Sequence, residues 1–126
     1  MPEWIVDGNN VMGARPDGWW RDRRAAQRRL VERLEAFAAA RDEPVTVIFD
    51  GPRHEGVGGG ARVSVRFARR RGRDAADDDV AALVTRHPEP ASLTVATSDA
   101  ALAERVVGAG ARVVGAGAFL RELEAV

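Results

Sequence analysis

Three short apolar segments, each followed by an aspartate, constrain the fold of this chain more than any other feature. These segments, with the acid that follows each, are residues 4–6 with Asp7, residues 45–49 with Asp50, and residues 93–97 with Asp99. Short runs that contain Val and Ile and are bounded by Gly, Asn or Pro are typical of buried strands. In open α/β sheets, ligands bind beyond the carboxyl ends of the strands. The pattern therefore predicts one shared acidic site at that rim.

Helices are predicted for most of the chain between these strands. Apolar residues recur at helical spacing in four segments, residues 22–41, 74–86, 99–107 and 118–123. Two further short strands are predicted at residues 62–67 and 112–114, while residues 11–18 and 51–60 are expected to be surface loops. The order β-α-β-β-α-β-α-β-α predicts a mostly parallel sheet with helices on both faces, in a single domain spanning residues 1–126.

The composition narrows the available chemistry. Cysteine is absent, which excludes disulfides, thiolate metal sites and cysteine nucleophiles. Lysine is also absent, which excludes a lysine-containing phosphate loop and a Schiff base. His54 and His87 fall in a loop and a turn and are expected on the surface, which argues against a Ser-His nucleophile. No segment approaches the roughly 20 apolar residues of a membrane span, and no leader precedes the first strand, so we expect a soluble cytoplasmic protein without membrane contact.

The formal net charge is zero, but the charges are segregated. Seven arginines lie between residues 53 and 73 with a single acid, Glu55: Arg53, Arg62, Arg66, Arg69, Arg70, Arg71 and Arg73. Four aspartates follow directly: Asp74, Asp77, Asp78 and Asp79. Arginines of this kind supply electrostatic, largely sequence-independent affinity for a nucleic-acid backbone.

Four aspartates that are far apart in sequence are expected on one rim: Asp7, Asp50, Asp77 and Asp99. Clustered carboxylates repel one another unless a proton or a cation compensates. Mg²⁺ and Mn²⁺ take oxygen ligands, and Mg²⁺ usually uses only one or two protein carboxylates. One or two such ions could activate a water and stabilise the leaving oxygen of a phosphodiester. The alternative is that each acid only caps a turn or a helix. For Asp7-Gly8 or Asp50-Gly51 taken alone, a turn is the favoured interpretation. The coincidence of four acids at one rim favours a metal site.

Each residue around these acids has two interpretations. The hydroxyl groups of Thr97 and Ser98 could orient a carboxylate or a metal-bound water, or Ser98 could be the N-cap of the following helix. Asn10 could orient Asp7, or it could be a turn residue. Asp78 lies in the first turn of a predicted helix, where an acid also suits the helix dipole.

The ordered motifs of the chain resemble a known family. They are V-D-G-N-N at residues 6–10, F-D-G at 49–51, A-A-D-D at 75–78 and T-S-D at 97–99, followed by A-L-A-E-R-V and G-A-R-V-V. In this order they resemble the NYN branch of the PIN-domain superfamily, and within it the YacP-like group of predicted RNA-binding proteins. The resemblance spans nearly the whole chain. It departs at Asp74, where YacP-like proteins usually carry Glu.

The resemblance implies a fold and an activity. The fold is a PIN-like, Rossmann-like three-layer sandwich around a central, mostly parallel five-stranded sheet, and the activity is metal-dependent cleavage of RNA. The family's acidic positions match Asp7, Asp50, Asp77 and Asp99, and its polar partner matches Asn10.

We therefore expect a divalent-metal-dependent endoribonuclease that uses Mg²⁺ or Mn²⁺. Asp7, Asp77 and Asp99 would hold the metal, and Asp50 would assist directly or through water. The arginines expected to bind the RNA backbone are Arg53, Arg66, Arg69, Arg70, Arg71 and Arg73.

Two other functions compete with this expectation. The alternative is an RNA-binding module of the same fold that does not cleave. A haloacid-dehalogenase phosphatase is excluded, because Asn9 stands where the second acid of D-x-D is needed and no lysine follows. Backbone contacts and a metal site do not by themselves distinguish RNA from DNA, and the sequence is compatible with a homo-oligomer.

Overall fold

Five strands form the centre of the protein in the computed structural model, which describes residues 2–68 and 75–126. The strands are β1 (Glu3–Asp7), β2 (Val45–Phe49), β3 (Val63–Phe67), β4 (Leu93–Ala96) and β5 (Arg112–Val114). The helices are α1 (Gly8–Met12), α2 (Arg23–Arg41), α3 (Ala75–Arg86), α4 (Ala100–Gly108) and α5 (Ala116–Glu124). Two short 3₁₀ turns, Trp19–Arg21 and Pro90–Ser92, precede α2 and β4.

All strand pairs in this sheet are parallel, in the order β3-β2-β1-β4-β5. The chain therefore moves from β1 outward through β2 and β3, and then crosses back to lay β4 on the other side of β1. The strand order reverses between β1 and β4, and such a switch point opens a crevice beyond the carboxyl ends of the strands. The predicted α/β class is confirmed, and the sheet is entirely rather than mostly parallel.

Helices cover both faces of the sheet and bury two apolar layers. One layer lies under α1, α2 and α5 and includes Trp4, Phe37 and Phe119. The other lies under α3 and α4 and includes Val80 and Leu102. Because both faces are covered, the central strands are apolar on both sides, as is usual in parallel sheets. Among residues 2–68 and 75–126, no helix is both long enough and apolar enough to cross a bilayer.

The predicted loops differ from the observed structure at two places. Residues 11–18 were expected to be a loop, but Val11 and Met12 complete the single turn of α1 and are buried in the core. Burial of these two side chains outweighs the low helix propensity of the preceding Gly and Asn residues. Residues 51–60 do form a loop, but Val57 within it is only 3% exposed and packs into the core. The expectation of a wholly superficial loop was therefore wrong.

A close approach between α1 and β2 fixes the residue type at position 8. A Cβ atom on Gly8 would lie 2.5 Å from Cδ1 of Phe49 and 2.8 Å from the carbonyl oxygen of Ile48. The second neighbour is backbone within the sheet, so it cannot move aside cheaply. Glycine at this position lets α1 start immediately after β1, next to the carboxyl end of β2.

We expect Gly8→Ala to destabilise the protein by about 1–3 kcal/mol, the usual cost of overpacking a close-packed site. Urea denaturation followed by circular dichroism measures the change. The matched control is Gly108→Ala, because a Cβ there meets no atom within 4 Å and the residue ends α4. The control should be neutral or slightly stabilising; equal unfolding midpoints for the two variants would contradict the close-approach account.

Candidate active site at the acidic rim

Asp7 is the buried centre of the rim at the carboxyl ends of the strands. It is the last residue of β1 and is only 4% exposed. The hydroxyl group of Thr97, the residue after β4, donates to Oδ2 of Asp7 over 2.8 Å. This bond bridges β1 and β4 across the switch point of the sheet. Thr97, predicted to orient a carboxylate, is itself buried.

Burial raises the pKa of Asp7 above its ordinary value, because desolvation disfavours the charged form. The hydrogen bond from Thr97 lowers the pKa and offsets part of this effect. The nearby carboxylates of Asp50 and Asp99 raise it further by electrostatic repulsion. Three of the four predicted acids therefore interact electrostatically at one place.

Two consecutive asparagines in α1 connect β1 to both neighbouring strands. Oδ1 of Asn9 accepts the backbone N–H of Asp50 over 2.9 Å, at the end of β2. Oδ1 of Asn10 accepts the backbone N–H of Ser98 over 2.7 Å, just beyond β4. Asn10 was expected to orient Asp7 or to occupy a turn. Its backbone N–H donates to the Asp7 carboxylate and lowers the pKa of Asp7, while its side chain positions the segment that carries Asp99. The contribution of Asn9 was missed, although an Asn-Asn pair directly after a strand and an Asp-Gly turn was the available signal.

Asp50 joins the carboxyl end of β2 to the start of α3. Its Oδ1 accepts the backbone N–H of Ala76 over 3.2 Å, and its backbone N–H is held by Asn9. Asp77 is the next residue along α3, in the first turn of the helix. The contact of Asp50 with Ala76 places the first turn of α3, which contains Asp77, next to the carboxyl end of β2. The acids that act on Asp7 are Asp50 and Asp99.

Asp99 is the N-cap of α4, the position for which Ser98 had been considered. Its Oδ1 accepts the backbone N–H of Leu102 over 3.0 Å, and its own N–H donates to Oγ1 of Thr97 over 3.1 Å. Ser98 has another role, since its hydroxyl oxygen accepts the backbone N–H of Ala116 at the start of α5. Capping and membership of the acidic rim are therefore compatible for Asp99.

The acids of the rim do not form a complete metal-binding site by themselves. Within residues 2–68 and 75–126, no three Asp, Glu or His side chains converge closely enough to hold a metal ion between them. The donor atoms at the rim are all oxygens, which suits a hard cation. A site with one or two carboxylates and several waters, as Mg²⁺ prefers, is compatible with this spacing.

The remaining predicted site residues lie around this rim or outside the described residues. Asp78 forms an ion pair with Arg105 over 3.0 Å, which links α3 to α4. Arg53 is exposed in the loop after β2, and Arg66 is exposed on β3. The predicted RNA-binding residues Arg69, Arg70, Arg71 and Arg73, together with Asp74, lie outside the described residues.

Both histidines are partly buried, whereas surface positions were expected. Nδ1 of His54 lies 2.9 Å from Oε1 of Gln27, a side chain that is only 2% exposed. His87 contacts Glu3 over 3.2 Å through Nε2. The sequence carried no sign of the contact between His54 and Gln27, because it joins a loop to a helix 27 residues away in sequence.

Comparisons with known proteins match both the sequence and the fold. A family model for the YacP-like NYN domain matches residues 4–126. A crystal structure of Rae1 (YacP) from Bacillus subtilis has a TM-score of 0.82 and 27% identity, and the match covers 99% of this chain and 75% of that chain. The structure of a single-residue variant of Rae1 gives a TM-score of 0.81 and 28% identity, with 99% and 76% covered. No curated protein matches the sequence significantly.

The electrostatics of Asp7 predict that Asp7→Asn stabilises the metal-free protein at pH 7, by roughly 0.5–2 kcal/mol. The variant keeps an oxygen that accepts from Thr97 but removes a buried charge. Because the folded-state pKa of Asp7 is raised, the wild-type carboxylate costs stability above that pKa and is neutral below it. The advantage of the variant should therefore shrink as the pH falls from 7 towards 3.8, the ordinary value.

Thermal unfolding in EDTA across this pH range measures the difference. The control is Asp42→Asn, because Asp42 is exposed, lies at the opposite end of β2, and has a positive φ of 53° that Asn tolerates well. An Asp7→Asn variant that is less stable than wild type at pH 7, or whose advantage does not vary with pH, would contradict the account of Asp7.

Proposed function

The chain belongs to the YacP-like NYN domain family, a family of PIN-like nucleases, and from this we propose that it is a divalent-metal-dependent endoribonuclease that hydrolyses RNA phosphodiesters at the acidic rim. The observation that carries the proposal is the buried carboxylate of Asp7, which lies beside Asp50 and Asp99 at the switch point of the sheet. A carboxylate buried next to two others costs stability unless a cation balances it. Functional sites are where such a cost is commonly retained.

The rim suits Mg²⁺ or Mn²⁺ as the cofactor. Such an ion, when bound, supplies an activated water and electrostatic stabilisation of the developing charge on the phosphate. Asp7, Asp77 and Asp99 are the proposed ligands, with Asp50 acting directly or through water. Because no three of these acids converge among the described residues, we expect one or two direct carboxylate ligands with water and substrate phosphate completing the shell.

The chain's own residues prepare this site before any ligand arrives. Thr97 fixes one oxygen of Asp7, and the α4 cap fixes Oδ1 of Asp99. Fixed carboxylates bind an ion without losing rotamer freedom at the moment of binding, which is the benefit of a preorganised site. Exposed arginines next to β2 and on β3, Arg53 and Arg66, would attract the RNA backbone to the rim.

The alternative function is an RNA-binding module of the same fold without cleavage activity. The spacing of the acids favours it in one respect, because a preassembled three-acid site is absent from the described part of the chain. Cleavage by the purified protein distinguishes the two functions.

We expect the protein to cleave a labelled single-stranded RNA in Mn²⁺ or Mg²⁺ and not in EDTA, and Asp99→Asn to reduce the rate by about 100-fold or more. Asn is as good an N-cap as Asp, so the substitution keeps the bond to Leu102 and removes only the charge. Asp42→Asn, the same chemical change at the opposite end of β2, is the control and should cleave at the wild-type rate.

Gel electrophoresis of the products and fluorescence anisotropy of the bound RNA are measured in parallel. Loss of cleavage in Asp99→Asn with retained RNA binding supports the nuclease proposal. RNA binding by the wild-type protein without any metal-dependent cleavage would contradict it and favour the binding module.

A further inference from the structure

A groove of about 500 Å³ runs between β3 and α3. α3 packs against β1 and β2, so no helix among the described residues covers the face of the edge strand β3 that carries Ser64 and Arg66. Arg66 lines the groove from the strand, and Arg86, the last residue of α3, lines it from the helix. Arg53 and Phe67 lie at the end of the groove where β2 and β3 terminate. A volume of this size is typical of small-ligand sites and can accommodate a nucleotide.

The charges that line the groove are unbalanced. Among the lining residues that the structure describes, three arginines, Arg53, Arg66 and Arg86, face one acid, Asp79. Among the described residues, no carboxylate lies within ion-pair distance of any of these three guanidinium groups. Ion pairs hold Arg15, Arg41, Arg62 and Arg105. Other arginines, such as most of those on α2, also have no acid partner in the described part of the chain, so what distinguishes the groove is that its arginines line one cavity from two sides. Unpaired cations on two facing walls suit a ligand with more than one negative charge.

Where β3 ends, the groove reaches an aromatic ring as well as positive charge. Phe67 lines the groove there, with its ring packed on the α2 side of the sheet and Arg53 lying over it. The guanidinium group of Arg53 lies 5.5 Å from the ring centroid of Phe67, and the ring of His54 lies 6.3 Å from it. Phe49 supports Phe67 from the neighbouring strand, with ring centroids 5.6 Å apart. Nucleobases stack on aromatic rings and on arginine planes, and the combination of both with phosphate-binding arginines is typical of single-stranded nucleic-acid sites.

This end of the groove is adjacent to the acidic rim. Phe67 pairs with Phe49 in the parallel register of β3 and β2, and Asp50 is the residue that follows Phe49. Neighbouring strands lie roughly 4.8 Å apart, so the ring and the carboxylate belong to adjacent strand ends. An RNA strand with its scissile phosphate at the acidic rim would therefore continue directly into the groove.

We propose that the β3–α3 groove binds the single-stranded RNA segment that flanks the cleavage site. Arg66 and Arg86 contact successive backbone phosphates, and a base stacks on the guanidinium plane of Arg53, which Phe67 supports from behind. Asp79 lies in the same groove and repels the backbone, which weakens binding and favours release of the product. The inference rests on the proposed nuclease function, which supplies RNA as the substrate. What it adds is the path that the RNA strand follows across the protein.

The test measures RNA affinity in EDTA, by fluorescence anisotropy of a fluorescein-labelled single-stranded RNA, so that cleavage does not interfere. Arg66→Gln and Arg86→Gln should each raise Kd about two- to fivefold and reduce the slope of log Kd against log salt by about 0.7. Asp79→Asn should lower Kd about twofold or more, which is a gain that loss of folding cannot produce. The control is Arg112→Gln, which removes another exposed arginine, from β5 at the opposite edge of the sheet, and should leave Kd unchanged.

Cleavage of the same RNA in Mn²⁺ separates this inference from the proposed function. Groove variants that raise KM with kcat unchanged support the inference. If the wild-type protein cleaves the RNA but the groove variants have the same Kd and KM as Arg112→Gln, the groove does not bind the RNA. That result would contradict the inference and leave the proposed nuclease function intact. If the groove variants change the RNA affinity but the wild-type protein does not cleave, the proposed nuclease function is contradicted. The assignment of the groove as an RNA-binding site is then supported. An Asp79→Asn variant that binds more weakly than wild type would also overturn the inference.

Discussion

The arrangement of the rim depends on one interaction, the hydrogen bond from Thr97 to the buried carboxylate of Asp7. The parallel order of the strands places β1 and β4 side by side with the switch point between them, and this bond closes the junction. A charged group at this depth carries a desolvation cost that the hydroxyl of Thr97 and the backbone N–H of Asn10 offset only in part. Two more carboxylates nearby add to the cost. The buried charge of Asp7 thus lowers the stability of the fold at the position where an α/β sheet binds ligands.

The two asparagines of α1 explain how a five-residue helix can organise three strand ends. Asn9 and Asn10 hold the backbone beyond β2 and β4, while Asp7 ends β1 itself. Because Gly8 lets α1 start without a gap, these contacts come from consecutive residues and leave little freedom between them. Ser98 extends the network to α5. Segments that carry candidate metal ligands are therefore positioned by amide and hydroxyl groups rather than by the acids alone.

Much of this could be predicted from the sequence, and the remainder has a physical reason. The strands, the helix predicted over residues 22–41 and the acids at strand ends follow from local signals, namely apolar runs, helical periodicity and the residue after each strand. The short helix α1 was missed because burial of Val11 and Met12, a tertiary effect, overrides local propensity. The contacts of Asn9 with Asp50, His54 with Gln27 and Asp78 with Arg105 join residues 27 to 41 positions apart. No local pattern encodes such pairs, and the groove between β3 and α3 likewise arises only when the two elements are placed.

The central claim is that the rim holds a buried carboxylate whose charge a divalent cation balances. A ¹³C NMR titration of the Asp7 carboxyl carbon, first in EDTA and then with Mg²⁺, tests it most directly. The account predicts an Asp7 pKa above the ordinary value of 3.8 in EDTA and a marked fall when Mg²⁺ is added. An ordinary pKa that does not respond to Mg²⁺ would contradict it.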